Sequence, residues 1–139
     1  MTNADQVRAM YAAFQRGDVA PIIQAMAPDV RWDDPAQNTD APWLQPRRGP
    51  DGVAAFFASL AAIEFHRFEV KTVLEQANLV VGIVIVEATV KATGVRVDEA
   101  DEVHLWTFNE LGKVTEFKHR LDTRQHQLAF TGARVAELA

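Results

Sequence analysis

The chain has 139 residues, 48% apolar and 24% charged, with 14 Lys and Arg against 19 Asp and Glu, for a net charge of −5. That is about one domain of ordinary globular composition, long enough to bury a core without staples, and its acidic balance argues against a nucleic-acid partner. With no cysteine in the sequence, thiolate nucleophiles, disulfides and Cys-ligated zinc are excluded, and any chemistry must come from carboxylates, histidines and hydroxyls.

The polar N-terminus, carrying Asp5, does not read as a signal peptide. Val7, Met10, Tyr11 and Phe14 recur at helical spacing, and Gly17 is placed to end that helix. Asp18 is the expected N-cap of a second helix with Val19, Ile22, Ile23 and Met26 as its apolar stripe, stopped by Pro28 and Asp29. Val30 to Asp34 reads as a short strand. Residues 35–50 hold four prolines and form one long irregular segment, which is either a lid or a solvated loop. A third helix starts at Gly49-Pro50-Asp51 and turns Val53, Phe56, Phe57 and Leu60 to one face.

The second half reads as strands. Phe68 to Leu74 alternates, and Leu79 to Thr93 is rich in Val and Ile on both faces. Val95 to Phe108 alternates, NELGK at 109–113 is a hairpin turn, and Val114 to Leu121 is a further strand. The longest apolar run, Leu79 to Val86, is far short of the roughly 20 residues that cross a bilayer. Asp122-Thr123-Arg124-Gln125 has the form of a capping box before a terminal helix. Helices followed by strands predict an α+β domain spanning 1–139, with a core of about 5–125. The strand apolar on both faces predicts a homodimer through the outer sheet face. The expected location is cytoplasmic, with no membrane or nucleic-acid partner.

Tyr11 to Asp18 (YAAFQRGD), Met26 to Pro35 (MAPDVRWDDP), Arg48 to Val53 (RGPDGV) and the hairpin Trp106-Thr107-Phe108 to Gly112-Lys113-Val114 together resemble the nuclear transport factor 2-like superfamily. More closely, they resemble its SnoaL-like and ketosteroid-isomerase-like small proteins. The resemblance implies a cone-shaped shell, with three helices on a curved antiparallel sheet around an apolar pocket. It also implies cofactor-free proton transfer: isomerisation, cyclisation or dehydration of a small apolar carbonyl compound. The alternative is a non-catalytic module of the same fold that binds a hydrophobic ligand or dimerises.

Three residues carry over as catalytic candidates. Asp34, sixteen residues after Asp18 and before Pro35, stands where the isomerases keep their base. Trp32, two residues earlier, would share its face and raise its pKa; a plain turn at Asp33-Asp34-Pro35 is the other reading. His104 occupies the slot of the isomerases' oxyanion-donating aspartate, and His119 the slot of the cyclases' acid/base aspartate. The isomerases' tyrosine slot falls on Met10, which places Tyr11 about 100° away around the helix. Tyr11, Phe14, Trp32, Phe57, Trp106 and Phe117 are the expected substrate-binding residues. Asp98, Glu99, Asp101 and Glu102 fall on alternating faces of a strand, and no HExxH spacing occurs. Neither a metal nor a cofactor is therefore expected.

Overall fold

The computed structural model describes residues 1–36 and 39–132; two residues of the expected 35–50 loop and the end of the terminal tail lie outside it. Helix α1 (Asn3–Gln15) opens on a reciprocal cap. The Thr2 side chain accepts from the Asp5 amide, and the Asp5 carboxylate accepts from the Thr2 amide. Gly17, at φ 76°, ends it in the left-handed conformation. Helix α2 (Ala20–Gln24) is only five residues long, and its cap is Val19, with no side-chain bond from Asp18. Strand β1 (Met26–Trp32) begins where the expected helix would have continued. The competing force is sheet pairing. Met26 lies opposite Val114, and the Val114 amide donates to the Ala25 carbonyl at 2.9 Å.

A single 3₁₀ turn (Pro42–Leu44) and a two-residue strand β2 (Arg47–Arg48) lead into α3 (Gly49–Ser59). Four strands follow as a meander: β3 (Ile63–Gln76), β4 (Leu79–Val90), β5 (Arg96–Phe108) and β6 (Val114–Arg120). Helix α4 (Thr123–Thr131) closes the described chain, and Asp122 caps it by accepting from the Gln125 amide. The sheet order is β2-β1-β6-β5-β4-β3. It is mixed rather than wholly antiparallel, because β1 runs parallel to β6.

This is an α+β fold in which α1 and α3 cover the inner face of the curved sheet. Along β4, Val80, Gly82, Val84, Val86, Ala88 and Val90 point inward and are buried. Val7, Met10 and Tyr11 of α1 and Val53 and Phe56 of α3 pack against that face. No helix among the described residues is long and apolar enough to cross a membrane.

Two local irregularities set the functional geometry. Val84 pairs with Glu102 and Val86 with Glu99, so two residues of β5 (Ala100, Asp101) face one of β4. This β-bulge resets the alternation. Glu99 and Glu102, which strict period-2 reading puts on opposite faces, are both buried on the inner one. The second is Asp33, which follows β1 at φ 51°, a left-handed conformation that Asp tolerates better than most residues.

Candidate active site

Helix α1, helix α3, the inner sheet and the first turn of α4 enclose a predominantly apolar cavity, the kind of setting in which small-molecule sites form. Tyr11, Phe14, Trp32, Phe57, Trp106 and Phe117 all line it, as expected from the sequence, together with Trp43, Phe56, Phe65 and Phe68. The rings interlock: Trp32 stacks on Phe117 with centroids 3.9 Å apart, and Trp106 meets Phe117 edge-on at 4.5 Å. In this apolar wall the ionisable lining groups are Tyr11, Glu102, His104, His119 and His126.

His119, on β6, is held by Asp33. One Asp33 oxygen accepts from the His119 amide at 2.7 Å, and the other accepts from His119 Nδ1–H at 2.6 Å. The Asp33 amide returns a bond to the Phe117 carbonyl at 2.9 Å. Nε2 is the ring nitrogen left without a partner among the described residues. Burial alone would lower the His119 pKa, but the adjacent Asp33 charge and hydrogen bond outweigh it and raise it above the ordinary histidine value.

His104, one strand away, has both nitrogens engaged. Nε2 meets the Glu102 carboxylate at 2.6 Å and Nδ1 meets the Tyr11 hydroxyl at 2.8 Å. Burial would push the Glu102 carboxyl up, but the His104 hydrogen bond and the surrounding histidines hold it below its usual value. It is therefore a carboxylate, so Nε2–H donates to it and Nδ1 accepts from Tyr11 O–H. The Tyr11 oxygen in turn accepts from Trp106 Nε1–H at 3.2 Å. Burial pushes the Tyr11 phenol well up and the His104 pKa down, and the charge on His119 further disfavours a second cation there. The two imidazoles, 5.2 Å apart between centroids, are thus driven in opposite directions, a pattern that separates an acid from a neutral partner.

A third pair closes the far end. Trp43 Nε1–H donates to His126 Nδ1 at 2.9 Å, and His126 Nε2–H donates to Glu99 at 3.0 Å. The same Glu99 oxygen accepts the Asp122 amide at 3.1 Å. Trp43, 3% exposed, is therefore a wall of the cavity.

One expected placement differs. Asp34 does not line the cavity; its carboxylate pairs with the exposed Arg48 guanidinium. The left-handed turn at Asp33 shifts the facing by one residue, so Asp33, 8% exposed, reaches His119 instead. Tyr11 faces the cavity although it stands one position beyond the isomerases' tyrosine slot, and its hydroxyl sits over Gly82, where a Cβ would fall 2.0 Å from the phenol oxygen. Gly82 lies opposite His104 in the sheet, so this glycine is what lets Tyr11 reach the histidine. Glu102 and Glu99 were missed because the bulge that turns them inward leaves no mark on the alternation pattern.

The curved mixed sheet, the helices packed on its concave face and the polar cluster within define a protein of the nuclear transport factor 2-like fold class. The chain belongs to the SnoaL-like domain family, whose model matches residues 7–117. Among solved structures it is similar to a nuclear transport factor 2-like protein of unknown function from Burkholderia pseudomallei, at 27% identity and a TM-score of 0.77, covering 94% of this chain and 99% of that one. A nuclear transport factor 2-like protein from Burkholderia thailandensis matches at 23% identity and TM-score 0.77, covering 89% and 93%. TerC, co-crystallised with polyporic acid, matches at 24% identity and TM-score 0.72, covering 93% and 98%. No curated protein matches the chain.

Proposed function

We propose that this protein catalyses proton transfer on a small, largely apolar carbonyl compound, as an isomerase, cyclase or dehydratase. The observation that carries the reading is the opposed pair in an aromatic cavity. Asp33 raises the His119 pKa and so favours its protonated form, while His104 lowers that of Glu102 and favours the carboxylate. A ring nitrogen of each histidine and a carboxylate oxygen of Glu102 lie within 4.8 Å of one another, a span one carbonyl and its α-carbon can bridge. His119 Nε2–H donates to the carbonyl oxygen. The Glu102 carboxylate takes the α-proton, and the electron pair of that C–H bond moves into the enol. His104 and Tyr11 touch the substrate through no free N–H or O–H. They position Glu102 and pass on its charge change. The enol then regains a proton at a second carbon, expels a β-hydroxyl as water, or adds to a second carbonyl; the three outcomes share this first step.

The test is solvent-deuterium exchange into a panel of cyclic enolisable ketones, followed by NMR. The wild type should accelerate exchange. Glu102→Gln and His119→Ala should each lose about 10²–10⁴ of that acceleration. Binding of a ketone with no exchange by any protein form would favour the ligand-binding module, a reading the satisfied nitrogens of His104 and the many rings also support.

We also propose that the chain forms a homodimer through the outer sheet face. Val81 pairs with Leu105 and Ile83 with Val103, and these four half-buried side chains face outward beside Leu74, 57% exposed. A second copy of the chain is the proposed cover, tested by light scattering on the intact protein.

A further inference from the structure

We infer that Glu102, His104 and His119 form a binding site for one divalent transition-metal ion of the zinc class, a ligand that would compete with the proton for the same atoms. The three residues come from two adjacent strands and are buried or nearly so, and their potential donor atoms lie within 4.8 Å of one another. Two histidines and one carboxylate are donors suited to zinc, cobalt or iron. The outer contacts are those a metal-ligating histidine needs. Asp33 accepts from Nδ1–H of His119 at 2.6 Å and leaves Nε2 for an ion. Tyr11 lies 2.8 Å from Nδ1 of His104, and a hydroxyl can accept as readily as donate. On metal loading Nδ1–H donates to Tyr11, and His104 Nε2 turns from Glu102 to the ion. The Glu102–His104 contact of 2.6 Å opens to the roughly 3 Å that separates ligands on bonds of about 2.0–2.2 Å. The cavity supplies the open coordination position.

A neighbouring group, Glu99, Glu102 and His126, also brings donor atoms within 4.8 Å, but its histidine is committed. The indole N–H of Trp43 can only donate, so His126 Nδ1 must accept and Nε2 must carry the proton. The indole bond blocks the tautomer that a metal on Nε2 requires, whereas a tyrosine hydroxyl permits it.

The inference stands independently of the proposed reaction, and its test has a readout other than activity. Chelator-treated full-length protein is titrated with zinc while the four histidine rings are followed by ¹⁵N NMR in the wild type. The expected result is saturation at one equivalent, with the signals of His104 and His119 shifting together. The exposed His66 and the committed His126 serve as internal controls. His119→Ala should weaken zinc binding at least tenfold by calorimetry, and Asp33→Asn by about tenfold, as outer-sphere partners do. No saturable response, or a response confined to His66 or His126, overturns the inference. Zinc binding without ketone exchange in the metal-free protein would sink the proposed reaction and leave this site standing; exchange without zinc binding would do the reverse.

Discussion

Two histidine–carboxylate pairs share the cavity, each closed at 2.6 Å, yet their imidazoles are driven in opposite directions from the ordinary histidine pKa. His119 has one nitrogen on Asp33 and the other free, and its side chain is 11% exposed. His104 is 5% exposed and engaged on both sides. The same contact therefore raises one imidazole and fails to raise the other. The lesson is that the carboxylate alone does not set the proton. The second ring nitrogen, the depth of burial and the charge on the neighbouring ring decide it. The pair with the free nitrogen is built to meet a ligand, and the pair with none is built to hold Glu102 in place.

That contrast can be broken at its supports. Gly82→Ala should have the largest effect, because the new Cβ collides with the Tyr11 hydroxyl. We expect a loss of about 1–3 kcal/mol in stability by thermal or denaturant unfolding, with His104 displaced and Asp33–His119 left in register. Tyr11→Phe removes one neutral hydrogen bond from His104 and should lower ketone exchange by about tenfold or less, the equivalent of about 0.5–1.5 kcal/mol. A loss as deep as that of His119→Ala would instead make Tyr11 a group that touches substrate. The smallest effect is expected from Arg48→Ala. It breaks the exposed pair with Asp34, and a solvent-screened contact of this kind contributes about 0–1 kcal/mol.

The fold was legible where a residue type signals its own geometry. Gly17, the Pro50 that opens α3 and the Asp122 cap all lie where the sequence places them. The family resemblance located cavity-lining residues as well, since Trp32, Trp106, Phe117, His104 and His119 all line the pocket. Reading failed where one residue resets the period. The left-handed Asp33 moved the inward carboxylate from position 34 to 33. The bulge at Ala100 and Asp101 moved Glu99 and Glu102 onto one face. In both places backbone irregularity, which one sequence does not display, brings the acidic groups to the histidines. Helix α2 failed differently: its apolar stripe was real, but pairing with β6 took Met26 into the sheet.

The most direct measurement compares two adjacent substitutions. Asp33→Asn removes the charge that raises the His119 pKa, while Asp34→Asn changes only the exposed pair with Arg48. Deuterium exchange into a ketone turned over by the wild type should fall about 10²–10³-fold for Asp33→Asn, within the range of lost acid catalysis. It should stay within about twofold of the wild type for Asp34→Asn, because an exposed pair is weak. Loss of exchange in Asp34→Asn with Asp33→Asn at the wild-type rate would contradict the account.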